Sequence, residues 1–479
     1  MKPSLLLAGY LCGQLFVGVA GGTADPARLP NIVLIYADDL GYADIGPFAP
    51  GGNRTPNLDR LAAQGRQFRQ FYVAQAVCSA SRAALLTGCY PNRIGISGAL
   101  GPASKVGLGA AETTLAELVK QKGYATAIVG KWHLGSRPEF LPTRHGFDEW
   151  FGLPYSNDMW PLHPEATAGT YPALPLFDGE RVVNASVQPA DQAQLTTRYT
   201  ERAVRYIGEH AAHPFFLYVA HSMPHVPLHL SARFKDQDSR GTYAEVISEL
   251  DWSVGEIMRV LERERLVDDT LFIFTSDNGP WLSYGDHAGS AFPLREGKGT
   301  SWEGGVRVPC IMRWPGRIPA GTTSGQALMT IDLLPTIAGL IGAELPTHRI
   351  DGRDVWPLIA GRPGATNPHD AYFIYYNRND LQAVISGDGR WKLILPHTYR
   401  TLAGRPGGAA GRPAKYASAK TGTELYDLRN DVMESSDVAA KHPEIVRKLT
   451  AAAQSMRVEL GDDLTKTTGS AARPPGLVE

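Results

Sequence analysis

The chain has 479 residues, of which 43% are hydrophobic and 20% charged, and its formal net charge is −1. This is the composition of an ordinary globular protein, and it excludes a broad basic surface for nucleic acid or anionic lipid. The length exceeds what one hydrophobic core normally absorbs, so we expect a large domain and a smaller one.

The N-terminus has the features of a secretory signal. Lys2 precedes the apolar run "LLLAGYLCGQLFVGVA", and small residues then lead to Asp25 and Pro26. The run is short for a bilayer, and no later stretch approaches the roughly 20 apolar residues that a membrane helix needs. We therefore predict a signal peptide over residues 1–24, export to the periplasm or the medium, and no contact with a membrane.

The first predicted elements are a strand and a helix. The segment "NIVLIYADDLG" is apolar from Ile32 and ends at Asp38 and Asp39, which is typical of a buried strand. The segment "TPNLDRLAAQG" predicts a helix with Thr55 as its cap and Pro56 in its first turn.

The same alternation continues along the chain. A helix in "TTLAELVKQKG" precedes the strand "YATAIVG", and the strand "PFFLYVA" precedes the long helix "AEVISELDWSVGEIMRVLERERL" and the strand "TLFIFTSDNG". This order indicates a mostly parallel sheet that is covered by helices on both faces. Ligands of such sheets bind beyond the carboxyl ends of the strands, where polar residues follow four of these strands.

The pattern changes after residue 365. The segments "AYFIYY", "LQAVISGDGRWKLIL" and "GTELYDL" predict antiparallel strands, and "PEIVRKLTAAAQSM" predicts a closing helix. We therefore expect a catalytic α/β domain over residues 25–365 and a smaller α+β domain over residues 366–479. The Gly-rich and Pro-rich segment 402–422 is expected to be a mobile loop.

Acidic strand ends suggest a metal site. The pair Asp38 and Asp39 carries little weight alone, because two other Asp-Asp pairs occur in the chain. Asp277 and Asn278 also end an apolar strand, so four oxygen ligands can converge at one sheet edge. Oxygen ligands favour calcium or magnesium over zinc.

An anionic ligand would need compensating charge near these carboxylates. Arg82, Lys131 and Lys298 are the candidate cations, and His133 and His225 can add charge or move protons. Each of these residues, taken alone, is as consistent with an ordinary surface charge or a hydrogen-bonded loop residue.

The predicted mature chain holds an odd number of cysteines, Cys78, Cys89 and Cys310, so at least one is unpaired. Cys78 lies just before the helical segment "SRAALLTG". A thiol at a helix N-terminus is acidic, and the thiolate that it forms is reactive. A disulfide to Cys89 or Cys310, or an inert buried thiol, remains an alternative.

The segment "CSASRAALLTG" resembles the signature of the formylglycine-dependent type I sulfatases, in which Cys-x-(Pro or Ala)-x-Arg precedes Leu-Thr-Gly. The segments "NIVLIYADDLGYADIG", "VGKWHLGSRPEFLPTRHGFDEWFGLPYS", "FTSDNGP" and "GKGTSWEGGVRVP" also resemble family motifs, in the family's order. The resemblance covers nearly the whole predicted mature chain and is nearest to the branch of arylsulfatase A and N-acetylgalactosamine-6-sulfatase. It implies an alkaline-phosphatase-like sheet between helices, with a small antiparallel sheet and a helix in the C-terminal domain.

The resemblance also implies the chemistry. A maturation enzyme would oxidise Cys78 to Cα-formylglycine, whose hydrate carries two hydroxyls. One hydroxyl would attack the sulfur of a sulfate ester. The other hydroxyl would then lose its proton, which expels sulfate and restores the aldehyde. The implied activity is that of a sulfuric ester hydrolase.

The family's functional residues fall on matching positions of this chain. Arg82 would hold the hydrate, Lys131 would contact hydrate and sulfate, and His133 would accept the hydrate proton. His225 and Lys298 would bind the sulfate and act on the leaving oxygen. A further polar position that binds substrate matches Ser156, and the calcium ligands match Asp38, Asp39, Asp277 and Asn278 together with the modified Cys78.

Two positions depart from the family pattern. Ala80 replaces the more common Pro of the modification signal, and Cys89 replaces an Arg. The conversion of Cys78 therefore depends on a maturation enzyme that accepts Ala. The branch favours a sulfated sugar, with a galactose-type 6-sulfate as one option, and aryl sulfates in vitro.

The segment 159–183 is expected to line the mouth of the site. Its aromatic residues Trp160, Tyr171 and Phe177 are candidates for stacking on a sugar or aryl ring, with a place in the core as the alternative for each. Two other functions stay open: a phosphate or phosphonate ester hydrolase on the same scaffold, and a sulfated-glycan-binding protein in which Cys78 stays a thiol.

Overall fold

The computed structural model describes Met1, residues 28–49 and residues 52–479. The predicted signal peptide therefore lies outside the described residues apart from Met1. Within the described ranges, no helix is long and apolar enough to cross a membrane.

The strands and helices follow one another along most of the chain. In chain order, the strands up to residue 329 are β1 Asn31–Ala37, β2 Arg66–Tyr72, β3 Val106–Gly107, β4 Ala125–Gly130, β5 Glu149–Gly152, β6 Leu176–Asp178, β7 Arg181–Asn184, β8 Phe215–Ala220, β9 Thr270–Ser276, β10 Arg307–Arg313 and β11 Thr322–Met329. The later strands are β12 Ala371–Tyr376, β13 Asp380–Ser386, β14 Trp391–Ile394, β15 His397–Thr401, β16 Ala417–Thr421, β17 Glu424–Asp427 and β18 Gly476–Leu477. The α-helices are α1 Pro56–Gln64, α2 Cys78–Thr87, α3 Leu115–Lys120, α4 Pro189–Gln192, α5 Leu195–Glu209, α6 Thr242–Arg263, α7 Glu303–Val306, α8 Leu333–Ile341, α9 Trp356–Ile359 and α10 Pro443–Leu460. Short 3-10 helices lie at Pro91–Ile94, Pro138–Phe140, Pro142–Arg144, Leu282–His287, Thr330–Asp332, Ala439–Lys441 and Asp463–Thr465.

A ten-stranded mixed sheet forms the centre of the molecule. Its strand order is β11-β2-β10-β9-β1-β8-β4-β5-β6-β7. The central strands β9, β1, β8, β4 and β5 pair in parallel, and antiparallel pairs join β10 to β9 and β2 on one side and β6 to β5 and β7 on the other. The predicted fold, a large and mostly parallel sheet between helices, is confirmed.

Both faces of the sheet are buried, which explains the continuous apolar runs. Along β1, Ile32 and Leu34 belong to one hydrophobic core, and Val33 and Ile35 belong to another. Helices α2, α3 and α8 contribute to the first core, and α1, α5 and α6 contribute to the second. Side chains of successive strand residues point to opposite faces, so a central strand needs apolar residues at every position.

Helix α1 is capped differently from the sequence prediction. Thr55 precedes the helix, but its side chain accepts no hydrogen bond from the first turn. The carboxylate of Asp251 on α6 accepts the backbone N–H groups of Asn57 and Leu58 instead, the latter at 2.8 Å. Spacing along the chain could not reveal this cap, because it comes from a different helix.

The C-terminal region forms the predicted antiparallel sheet and closing helix. Strands β12, β13, β14 and β17 pair in that order, and α10 packs against them. Buried residues of this sheet belong to the same hydrophobic core as α2 and α8.

The expectation of a free mobile loop over 402–422 is wrong for the part that forms β16. Residues Ala417–Thr421 pair with β15, and the backbone N–H of Gly408 donates to the Ser283 carbonyl at 2.7 Å. This hairpin, residues 397–421, lies against the 3-10 helix Leu282–His287.

Candidate active site

Four neighbouring parallel strands carry polar residues beyond their carboxyl ends. Strands β9, β1, β8 and β4 are adjacent, so the residues that follow them meet at one edge of the sheet. The residues that this edge presents are Asp277 and Asn278, Asp38 and Asp39, His225, and Lys131 and His133.

The carboxylates of Asp38, Asp39 and Asp277 form a buried acidic cluster. The backbone N–H of Asp39 donates to Oδ1 of Asp277 at 3.1 Å, and the Asn278 Nδ2 donates to Oδ1 of Asp39 at 2.7 Å. Asp39 adopts a positive φ of 63°, a conformation uncommon outside glycine. The chain therefore turns sharply at the strand end, and this turn directs both aspartates to the same place.

Crowding of these acids changes their proton affinity. Burial, followed by the charge of Asp38, raises the pKa of Asp277 to about 7. Burial alone would raise the pKa of Asp38 as well, but the ammonium of Lys131 and neighbouring cations outweigh it and hold that pKa well below its usual range. The cluster thus depends on nearby positive charge to remain ionised.

Cys78 is the first residue of α2 and lies against this cluster. Its Sγ donates to Oδ1 of Asp38 at 3.4 Å and accepts from Nζ of Lys298 at 3.5 Å. Burial, followed by the negative charge of Asp38, raises the pKa of the thiol well above its ordinary value. The expectation of an acidic thiolate is therefore wrong, because desolvation and a carboxylate outweigh the helix N-terminus.

Arg82 and Lys131 neutralise two of the acids. Arg82 Nη2 lies 2.8 Å from Oδ2 of Asp277 and 3.5 Å from Oδ2 of Asp38. Lys131 Nζ lies 2.5 Å from Oδ2 of Asp38 and donates to Oγ of Ser156 at 3.1 Å. All of these side chains are buried, so the pairs are shielded from solvent and screening is weak.

Lys298 and His225 approach the third acid, Asp39. Lys298 Nζ lies 2.7 Å from Oδ1 of Asp39, and His225 Nε2 lies 3.5 Å from Oδ2. The Nδ1 of His225 is 2.5 Å from the Val226 carbonyl, which can accept a hydrogen bond from a protonated Nδ1. A proton on Nδ1 would leave the Nε2 lone pair facing the cluster.

His133 lies beside the cluster without touching its carboxylates. Its Nε2 is 3.0 Å from the Leu100 carbonyl, and its buried Nδ1 has no hydrogen-bond partner among the described residues. Burial, followed by the charge of Lys131, holds the pKa of His133 well below its usual range. A neutral imidazole with one unused nitrogen can accept a proton.

The oxygen-rich edge fits a hard divalent cation. Ligand atoms of Asp38, Asp39, Cys78 and His225 lie within 4.8 Å of one another. The buried Oδ1 of Asn278 has no hydrogen-bond partner within the described part of the chain, and such an orphaned oxygen is available to a cation. Carboxylate and amide oxygens are the donors that calcium and magnesium prefer.

The structure brings most of the predicted site residues into direct contact. His133 lies beside them and does not touch the carboxylates. The predicted aromatic residues pack against other rings. Phe177 stacks on Trp150 with ring centroids 4.9 Å apart, and Trp160 is buried beside His229. The core alternative therefore holds for these two, while Tyr171 packs on His163.

Sequence reasoning missed the aromatic residue that does contact the site. Trp281 lies 4.5 Å from the Lys298 ammonium and 5.6 Å from the His225 ring, measured to the ring centroid. Its position three residues after Asn278 was a usable signal. Arg400, which contacts the Lys298 backbone from β15, carried no signal because it is 102 residues away.

Comparison with known proteins identifies the chain. The family model described as Sulfatase matches residues 30–343, and a second model, N-sulphoglucosamine sulphohydrolase, C-terminal, matches residues 297–401. The chain belongs to the sulfatase family. The sequence resemblance is thereby confirmed, and this sulfatase is a sulfuric ester hydrolase.

Characterised relatives support the same branch. The sulfatase is 39% identical to arylsulfatase A of Homo sapiens over 463 residues, covering 91% of this chain and 89% of the relative. It is 40% identical to N-acetylgalactosamine-6-sulfatase of Canis lupus familiaris over 405 residues, covering 81% and 76%. The crystal structure of Ps i-CgsB in complex with k-i-k-neocarrahexaose is 30% identical, with a TM-score of 0.74 over 90% of this chain and 93% of that one.

The remaining cysteines of the sulfatase are not paired with one another. Cys78, Cys89 and Cys310 are all free and buried within the described residues. Cys89 Sγ accepts from Nη2 of Arg473 at 3.5 Å, so a guanidinium from the C-terminal tail lies beside the position where the family usually has Arg. Burial raises the pKa of Cys89 to about 12, which makes its thiol unreactive.

Proposed function

We propose that this sulfatase hydrolyses sulfate esters of carbohydrates, using a formylglycine formed from Cys78 and a calcium ion held by the acidic cluster. The observation that carries the proposal is the convergence of position 78 with three carboxylates and three cations at one edge of the sheet. The three buried carboxylates balance the three buried cations. A divalent cation would therefore make the site positive, as binding of a sulfate group requires.

The proposed calcium ligands are oxygen atoms on strand ends. The ion would be held by side-chain oxygens that directly follow β1 and β9, together with the residue at position 78. The proposed ligands are Asp38, Asp39, Asp277 and Asn278. When bound, calcium supplies positive charge that makes a neighbouring hydroxyl more acidic and stabilises negative oxygens. Magnesium is the less favoured ion.

The residue at position 78 would be the nucleophile. A maturation enzyme that accepts Ala80 is the partner that the modification requires. Hydrated formylglycine supplies one hydroxyl for attack on sulfur and a second whose deprotonation releases sulfate. Arg82 and Lys131 form ion pairs with the carboxylates around this position and would orient the hydroxyls. The Nδ1 of His133, which has no hydrogen-bond partner among the described residues, would accept a proton.

The leaving group would meet His225 and Lys298. Both approach Asp39, whereas Lys131 pairs with Asp38, and the Lys298 ammonium also reaches Cys78 Sγ. A fixed cation such as the Lys298 ammonium next to a leaving oxygen stabilises the charge that develops there in the transition state. Ser156, which accepts a hydrogen bond from Lys131, would bind a sulfate oxygen.

A sulfated carbohydrate is the proposed substrate class. The support comes from the relatives, which include an N-acetylgalactosamine-6-sulfatase and a protein whose structure was solved with a neocarrahexaose. A galactose-type 6-sulfate is the first substrate to test.

Export and a two-domain division remain proposals that rest on the sequence pattern. The division into residues 25–365 and 366–479 is supported by the separate antiparallel sheet after residue 370.

The test combines mass analysis with substrate comparison. Formylglycine makes the peptide that contains residue 78 about 18 Da lighter than the cysteine form, a difference given by atomic masses. The enzyme is expected to release sulfate from sulfated oligosaccharides and 4-nitrophenyl sulfate, and Cys78→Ala is expected to abolish release. Much faster turnover of 4-nitrophenyl phosphate or a phosphonate ester would favour the phosphorus hydrolase. An unshifted peptide without turnover would favour a glycan-binding protein.

A further inference from the structure

The backbone of Lys298 is held by an arginine of the C-terminal hairpin. The Nε of Arg400 on β15 donates to the Lys298 carbonyl at 3.0 Å, and its Nη2 donates to the same oxygen. Two donors on one carbonyl oxygen fix the peptide plane as well as its position. The next residue, Gly299, has a φ of +79°, and a Cβ there would lie 2.2 Å from Arg400 Nη2. Glycine is therefore required for this close approach.

The neighbours of Arg400 hold the same segment. The Arg295 guanidinium donates to the hydroxyl of Tyr399 at 3.1 Å, and Thr401 Oγ1 donates to the Glu296 carboxylate at 2.6 Å. Three consecutive residues of β15 thus contact residues 295–298. The strand acts as a rigid support beneath the lysine.

The side chain of Lys298 is held by Trp281. Its ammonium lies 4.5 Å from the indole centroid, within the range of a cation–π interaction, and the Arg400 guanidinium lies 5.9 Å from the same ring. The same indole meets the His225 ring edge-on at 5.6 Å. The two groups that face the leaving oxygen therefore share one aromatic contact.

We propose that Arg400 is a positioning residue that sets the Lys298 ammonium for the leaving oxygen and so adapts this enzyme to esters of poorly acidic alcohols. The inference rests on the function proposed above. An alkoxide that leaves a sugar is a much stronger base than 4-nitrophenolate, so its departure needs more stabilisation by a fixed cation. A displaced Lys298 costs little when the leaving group is already stable.

The experiment compares Arg400→Ala with the control Arg405→Ala. Arg405 belongs to the same hairpin, but it is exposed, and among the described residues it donates only to the carbonyls of Leu402 and Lys415. We expect Arg400→Ala to lower kcat on a galactose 6-sulfate by about 10²-fold and on 4-nitrophenyl sulfate by less than about fivefold. Arg405→Ala should leave both rates near those of the enzyme without substitutions.

Two further measurements separate position from charge and from failure of the chemistry. Arg400→Lys keeps the charge but not the two-donor contact, so it should restore only part of the loss. Calorimetric binding of inorganic sulfate should weaken about fivefold in Arg400→Ala, the loss of roughly one net hydrogen bond.

Equal losses on both esters, or full rescue by Arg400→Lys, would overturn the positioning role while leaving the sulfatase function intact. Absence of any sulfate release from the enzyme that carries formylglycine at position 78 and retains Arg400 would contradict the proposed function instead. In that case the calorimetric comparison would still decide the role of Arg400, since unchanged binding in Arg400→Ala would refute it.

Discussion

Replacement of Arg82 by Met should couple the stability of the fold to calcium. The guanidinium of Arg82 is fully buried and pairs with Asp277 at 2.8 Å and Asp38 at 3.5 Å. Removing one partner of a buried ion pair leaves uncompensated charge and typically costs about 3–5 kcal/mol. We expect a loss of this size in the free energy of unfolding when EDTA is present.

Calcium should return part of that loss. A bound divalent ion would replace the missing positive charge, and without the Arg82 cation it would also meet less repulsion, worth about 1–4 kcal/mol at the dielectric of a protein site. The calcium-dependent increase in stability should therefore be larger in Arg82→Met than in the unmodified protein. Urea unfolding in EDTA and in saturating calcium, at matched ionic strength, measures both increments.

Arg93→Met is the matched control. Arg93 is equally buried and pairs with Asp351 at 2.6 Å, but its partners lie outside the acidic cluster. We expect a similar loss of stability and an unchanged calcium increment. An increment in Arg82→Met no larger than that in Arg93→Met would refute the placement of the ion beside Asp38 and Asp277.

Three other predictions concern metal, pH and the lysine support. Dialysis against EDTA should abolish sulfate release, and calcium should restore it; full activity in the chelated enzyme would contradict a metal-dependent site. Glu434 is buried with its carboxylate 2.8 Å from Nζ of Lys392, and burial raises its pKa from 4.5 to about 7. The stability that its protonated form contributes is therefore present at low pH and is lost as pH rises between these values. Glu434→Gln mimics the protonated form. The difference in free energy of unfolding between this variant and the protein without substitutions should therefore shift in favour of the variant as pH rises from 5 to 8, measured by urea unfolding. A difference that stays constant with pH would be inconsistent with the raised pKa. Gly299→Ala should reproduce the selective loss of activity on sugar sulfates that is expected for Arg400→Ala, because its Cβ would displace the guanidinium; equal losses on both esters would contradict it.

The chain's own pattern was enough to predict the large sheet and its polar edge. Strands buried on both faces appear as unbroken apolar runs, so β1 and β9 and the acids that end them could be read directly. Adjacent parallel strands bring their carboxyl ends together, and this rule is sufficient to predict that Asp38 and Asp277 lie at one edge of the sheet. The roles assigned to the site residues stay predictions.

Tertiary structure alone decided the contacts between distant segments. The cap of α1 by Asp251, the place of Trp281 beside Lys298 and the support from Arg400 depend on packing between elements far apart in the chain. The proton affinity of Cys78 also depended on its surroundings, because burial and a carboxylate raise the thiol pKa where the helix N-terminus alone would lower it. Local pattern determines which elements form and what ends them, whereas the electrostatics of a buried site arise only when those elements exclude water together.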